Sequence, residues 1–196
     1  MQIRVLYPFF LFFLLTTSYF HCQTEKEPTL GGVYLTLDDY KSGKLTYDID
    51  CSLEKQKIKL HDFLAKPYMD VYYRGEKHRL LKNEVYGFKD CHDQTFRFFD
   101  NLEYKLVEAG NIYLYTLEQL IFPEKADKTT VDFFFSSSMG GVIKPLNNIN
   151  LKNAFPTNKT FHRLLDESIN SINITRYDSI HKMYTVNKLY LESLAK

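Results

Sequence analysis

From Met69 to Leu117 apolar and polar side chains alternate in short runs. Met69, Val71 and Tyr73 are interleaved with Asp70 and Tyr72, and Leu102, Tyr104 and Leu106 with Glu103 and Lys105. Successive side chains of a strand point to opposite faces, so a period of two broken by turn residues predicts antiparallel strands in a meander. Turn chemistry falls at Gly75-Glu76, Asp90-Cys91-His92-Asp93, Asp100-Asn101 and Ala109-Gly110-Asn111, leaving strands at 69–73, 77–81, 85–89, 95–99, 102–106 and 112–117. Shorter strands at 33–36, 45–49 and 57–60 precede them, with one helical turn at 37–40 that ends on Gly43. The run Ile112 to Leu117 has no polar face, since Ile112 and Leu114 line one side and Tyr113 and Tyr115 the other. Such a strand is central or covered on both sides. Val131 to Phe135 follows, and the small residues Ser136 to Gly141 lead back through Val142 and Ile143 as a hairpin.

The period then lengthens to that of a helix. Asn147 or Asn148 caps a short helix that ends before Pro156. Thr157 or Asn158 caps a second, with Phe161, Leu164, Leu165, Ser168, Ile169 and Ile172 on one face. A third runs from Arg176 to Leu194 with Tyr177, Ile180, Tyr184, Leu191 and Leu194 at helical spacing. Strands followed by helices predict an α+β fold: an antiparallel β-meander sheet or partly closed barrel followed by C-terminal helices. The expected domain spans 31–196, β-rich over 31–144 and helical over 147–194, with 23–30 a polar leader without structure.

The first 22 residues read differently. Arg4 precedes an apolar run from Val5 to Leu15 and then a polar stretch, the layout of a secretory signal peptide. Pro8 near the start and polar residues from Thr16 onward leave a stretch too short to span roughly 30 Å of hydrocarbon as a transmembrane helix. Cleavage after Ser18 and after Cys22 are both readable. Lipidation of Cys22 would anchor the protein instead, although Tyr19-Phe20-His21 is a poor approach to a lipidated cysteine.

Composition adds less. The 196 residues carry 25 basic and 24 acidic groups, a balance that does not mark a nucleic-acid binder or a basic membrane-surface protein. Without the signal segment the chain is formally neutral, because Arg4 is its only charge, and it remains rich in Tyr and Phe. Cys51 and Cys91 remain in an exported chain, where an oxidising compartment permits a disulfide between them. Two free, buried thiols are the other reading.

The chain resembles an uncharacterised family of small secreted proteins from Gram-negative bacteria. The resemblance rests on Gly32-Val33-Tyr34-Leu35-Thr36 with Asp39-Tyr40 and Gly43-Lys44, on Tyr86-Gly87-Phe88 with Asp90-Cys91 and Phe96-Arg97-Phe98-Phe99, and on Ala154-Phe155-Pro156, Phe161-His162 and Tyr177 to Tyr184. It implies export and a single domain, and brings no catalytic or cofactor-binding residues with it.

Catalytic signatures are weak. Cys91-His92-Asp93 sets a nucleophile, a base and an acid side by side, but neighbouring side chains in an extended turn point apart. His61, His78, His92, His162 and His181 show no metal-ligand spacing, and Asp178 with His181 reads as a surface contact on one helix face. The Ser136–Gly141 loop lacks the Lys and the strand-to-helix context of a phosphate loop. The sequons at Asn158 and Asn173 read as incidental, Asn158 serving as a helix cap.

The tyrosines are the remaining lead. Tyr72, Tyr86, Tyr113 and Tyr115 lie in the meander and offer stiff faces with a hydroxyl, suited to a partner as well as to a core. The expectation is an exported, non-enzymatic binding module of the periplasm or secreted space, taking a protein or glycan partner, with no nucleic acid, cofactor, metal or transmembrane helix in the mature chain. A small hydrolase with dispersed Asp, Glu and His residues and a structural subunit of an envelope assembly are the alternatives.

Overall fold

A computed structural model describes residues 28–54, 58–61, 66–121, 128–168 and 173–195. Residues 1–27, which hold the expected signal segment, Cys22 and most of the expected leader, lie outside the described residues, as do Ile169 and Ile172. The elements in chain order are β1 (Leu30–Tyr34), α1 (Leu37–Ser42), β2 (Thr46–Asp50), β3 (Ile58–Lys59), β4 (Tyr68–Tyr73), β5 (Glu76–Leu81), β6 (Gly87–Lys89), β7 (Thr95–Phe99), β8 (Leu102–Glu108), β9 (Tyr113–Ile121), β10 (Lys128–Ser136), β11 (Lys144–Pro145), α2 (Asn148–Ala154), α3 (Lys159–Ser168), β12 (Tyr177–Asp178), β13 (Met183–Tyr184) and α4 (Thr185–Leu194).

The fold is α+β. Eight antiparallel strands form one sheet in the order β11-β10-β9-β8-β7-β6-β1-β2. Its outer strands β2 and β11 do not pair with each other, so the sheet is open and a closed barrel is not formed. The meander that begins at Met69 is divided: β4 pairs with β3 and β5 in a separate three-stranded sheet, and β6 joins β1 instead of β5. Burial explains the division. Met69 and Val71 of β4 pack with Val33, Val85, Phe88 and Phe98, so the small sheet lies across the large one and two apolar faces close on each other. Alternation gives each strand an apolar face but does not say which neighbour covers it.

The rest of that face of the large sheet is covered by helices. Leu151, Phe161, Leu165, Val186 and Leu189 pack on Ile112, Leu114 and Phe135, the last two of which are cross-strand partners. Asn187 fastens α4 at the β8–β9 turn, its Oδ1 accepting from Ile112 N at 3.0 Å and its Nδ2 donating to Ile112 O at 2.9 Å and to Glu108. Buried Lys82, just beyond β5, forms an ion pair with Glu103 of β8 and so ties the small sheet to the large one.

The segment from Arg176 departs from the helix that its spacing predicts. Tyr177 pairs with Tyr184 and Asp178 with Met183 in a hairpin, and the helix starts only at Thr185. The Asp178 carboxylate accepts the N–H groups of Ile180 at 3.0 Å and His181 at 3.1 Å, and Lys182 takes a left-handed φ of 53°. Side-chain capture of backbone donors closes a turn where a helix needs those donors for its own ladder. Asp178 and His181 therefore meet in a turn, at 2.8 Å, and not on a helix face.

Cys51 and Cys91 are joined by a disulfide with an S–S distance of 2.08 Å. It links the end of β2 to the β6–β7 turn across β1. Among the described residues, no helix is long and apolar enough to cross a membrane.

Candidate functional site

The second face of the large sheet gathers polar aromatic side chains. Along β7 the alternation puts Phe96 and Phe98 toward the small sheet, which leaves Arg97 and Phe99 on the other side. The register aligns Tyr34, Gly87, Arg97 and Tyr104 across β1, β6, β7 and β8, and Leu106 of β8 with Tyr115 of β9. Gly87 is required here, because a Cβ at that position would lie 2.0 Å from Phe96 O.

Local capping places the next tyrosine. Thr36 Oγ1 accepts from Asp39 N at 3.0 Å, the Asp39 carboxylate accepts from Thr36 N at 3.1 Å, and Gly43 ends α1 with a left-handed φ of 69°. The resulting short helix carries Tyr40 to the sheet. Its ring stacks on Tyr86 with centroids 5.0 Å apart and meets Tyr34 edge-on at 5.3 Å. The Arg97 guanidinium lies 5.4 Å from the Tyr86 centroid and 6.0 Å from that of Phe99.

The loop after β10 flanks this cluster. Tyr86 OH donates to Met139 O at 2.9 Å, and Ser136 Oγ donates to Ser138 O at 2.7 Å. Tyr115 OH lies 3.3 Å from Ser136 Oγ and accepts from Arg97 at 3.4 Å. Gly140 faces Leu37 of α1 so closely that a Cβ would stand 2.9 Å from Leu37 Cδ2. What reads in the sequence as a plain hairpin loop is thus held against α1 and Tyr86.

Arg97 is the unusual member. It is only 7% exposed, yet the long bond to Tyr115 is its one side-chain hydrogen bond among the described residues, and none of their carboxylates is within ion-pair range. A buried guanidinium has five N–H donors to satisfy and a large desolvation cost to offset. The Tyr86 and Tyr40 hydroxyls stay protonated. Burial pushes the Tyr86 hydroxyl well above its ordinary value, helped by Tyr115 and only partly opposed by Arg97; burial also raises Tyr40, with Tyr115, Tyr113 and Tyr34 adding to it. The cluster therefore holds one positive charge among hydroxyls, of which Tyr86 donates to Met139 O and Ser136 to Ser138 O.

Comparison of the chain with family models, curated proteins and solved structures found no match. The site stands on its geometry alone.

Of the four tyrosines singled out in the sequence, Tyr86, Tyr113 and Tyr115 come together here. Tyr115 is 1% exposed, so its ring is core, packed with Tyr104, Leu117 and Ile143, and only its hydroxyl serves the site. Tyr86 and Tyr113 are half-buried and keep part of their surface open. Tyr72 lies elsewhere, on the three-stranded sheet, with the Lys59 ammonium 5.2 Å from its ring centroid. Arg97, Tyr40 and Ser136 were missed. The one available signal for Arg97 was a lone cation within Phe96-Arg97-Phe98-Phe99.

The other titratable groups are engaged structurally. Cys91 is spent in the disulfide. His162 Nε2 lies 2.9 Å from Phe155 O, and His61 Nε2 lies 2.9 Å from Asp70. Arg176, Asp178, Thr185, Lys188, Leu189 and Glu192 line a shallow cleft, where Lys188 and backbone and ring N–H groups of His181 hold the Asp178 carboxyl well below the usual carboxylate range. A carboxylate so stabilised is a weak base. No group of three or more His, Cys, Asp or Glu side chains is arranged to hold a metal ion among the described residues.

Proposed function

We propose that the protein is an exported, non-enzymatic binding module of the cell envelope or secreted space, and that its partner engages the face built around Arg97. The observation that carries this reading is a residue 7% exposed whose guanidinium has no carboxylate within ion-pair range among the described residues and lies against Tyr86, Phe99 and Tyr115. Charges are rarely buried unless paired, so a buried cation with no carboxylate beside it among the described residues supports a recognition role. The half-buried Tyr40, Tyr86 and Tyr113 supply the rim.

Site-directed photocrosslinking in the native host tests it. A benzophenone side chain replacing Tyr113 is expected to form a discrete light-dependent adduct in the exported fraction, whereas the same group replacing Tyr72 forms none. Recovery of the protein in the cytoplasm, or indistinguishable adduct patterns at 72 and 113, overturns the reading.

A further inference from the structure

We propose that the outer edge of β10 is a self-association surface, and that its occupant is β10 of a second copy of this chain, paired antiparallel about a two-fold axis at Thr130. Strands β9 and β10 outrun the sheet together. Pairing with β8 stops at Thr116 of β9 and pairing with β11 stops at Phe134 of β10, whereas β9 and β10 pair residue by residue from Tyr113 with Ser136 to Ile121 with Lys128. Lys128 to Asp132 therefore has a strand on one side only among the described residues, and Val131 within it is 49% exposed.

The alternation of backbone groups fixes which residues offer this edge. Phe133 O accepts from Leu146 N at 2.9 Å, so the N–H and C=O of Phe133 face away from β9. Those of Val131 and Thr129, two and four residues back along an unbroken ladder, face the same way. An open row of this kind is a template for another strand, and the other edges are blunted. β3 and β11 have two residues each, and β11 contains Pro145. The pairing of β2 is interrupted by a register shift, and its Tyr47 takes a left-handed φ of 55°. β5 places the charged Lys77 and Arg79 along its length. β10 has neither a proline nor a bulge in its ladder with β9.

Charge selects the occupant and the register. With Thr129 and Val131 facing outward, two antiparallel copies exchange backbone hydrogen bonds when Thr129 of one lies opposite Val131 of the other. That register sets Thr130 opposite itself and Lys128 of each copy opposite Asp132 of the other, opposite charges at directly facing positions. The register with Val131 opposite itself would set Lys128 opposite Phe134, which β11 already flanks. The free stretch of β9, Glu118 to Ile121, holds a carboxylate and no cation, so it does not complement itself. Pairing about a two-fold axis closes on itself and yields a dimer.

The test is sedimentation of the chain purified from its host, from about 10 µM to about 1 mM, because an interface of two short strands belongs to the transient class. A monomer–dimer equilibrium is expected. Lys128→Asp or Asp132→Lys alone should weaken dimerisation about tenfold, and the two together should restore it, since the exchanged charges still face each other. Thr130→Cys is expected to give a covalent dimer under mild oxidation, and Thr129→Cys none, because position 129 faces 131 and not itself. Val131→Pro removes an outward N–H that β9 does not use, so it abolishes the dimer while the amides of β9 stay protected. Should that variant fail to fold, the charge exchange decides. A chain monomeric throughout, a dimer indifferent to the single charge reversals, or one that the double exchange does not restore overturns the inference. A monomer that instead takes an extended segment of another protein along β10 overturns it as well.

Discussion

Asp70 and Arg97 are both buried charges, and they are treated in opposite ways. The Asp70 carboxylate, 2% exposed, accepts from Arg79 Nε at 2.8 Å and lies 3.0 Å from Lys77 and 2.9 Å from His61. Arg79 foremost, then Lys77 and His61, hold its carboxyl well below the usual carboxylate range, although burial alone would raise it. A folded-state pKa depressed in this way stabilises the fold fully above the unfolded value near 4, and the gain is lost as pH falls toward the folded value. Asp70→Asn is therefore expected to lower stability at pH 7 by about 2 kcal/mol and to flatten the fall in stability below about pH 4, as read by urea unfolding at pH 7 and pH 3. An unchanged acid limb would mean that these cations do not stabilise Asp70. Gly87→Ala should destabilise by about 1–3 kcal/mol, because its methyl would meet a backbone oxygen that cannot yield without moving β7 and Arg97; thermal melting measures it. The partners of Asp70 were not legible. Period two puts Asp70 on the face opposite Met69 and Val71, but Arg79 faces it only through the β4–β5 register.

At the scale of elements, α1 was legible because all its determinants are local. Thr36, Asp39 and Gly43 supply a capping box and a left-handed end within eight residues. Thr36→Ala should cost about 1 kcal/mol and loosen Tyr40, seen as faster amide exchange at Asp39. The hairpin at 177–184 was not legible as such, since Tyr177, Ile180 and Tyr184 also fit a helical stripe. The competition is decided by Asp178, whose carboxylate takes two backbone N–H groups and the Lys188 ammonium at 3.0 Å. Asp178→Ala is expected to speed amide exchange at Ile180 and His181 while leaving α4 protected. Protection unchanged at those two amides would show that the turn does not depend on the carboxylate. The helices 148–154 and 159–168 are expected with Asn147 or Asn148 and Thr157 or Asn158 as their caps, and the structure uses the first of one pair and the second of the other: Asn147 Oδ1 accepts from Asn150 N at 2.8 Å and Asn158 Oδ1 from Phe161 N at 2.9 Å.

At the scale of the molecule, one covalent link closes a stretch of 40 residues that includes all of the three-stranded sheet. In the chain-entropy model a loop of that length stabilises by about 4 kcal/mol, so Cys51→Ser with Cys91→Ser should lower the urea midpoint markedly, and reductant should do the same to the native chain. A midpoint insensitive to both would place the stability in the cores alone. Two of those cores are layered on one side of an open eight-stranded sheet, the small sheet at the β1–β6–β7 end and the helices over β9 and β10, and the third, built on Tyr104, Tyr115, Leu117 and Ile143, lies with the tyrosine face on the other side. The sequence by itself determined the period of the main strands, the shift to helical spacing beyond residue 146, the Gly43 end of α1, the starts of α2 and α3 to within one residue, and the α+β class, because each depends on residues a few positions apart. Tertiary structure alone decided which sheet β4 and β5 join, that Asp178 closes a turn, and that Arg97 sits against Tyr86, Phe99 and Tyr115. Those pairings join residues tens of positions apart, and burial of apolar faces against one another, which no local pattern encodes, selects among them.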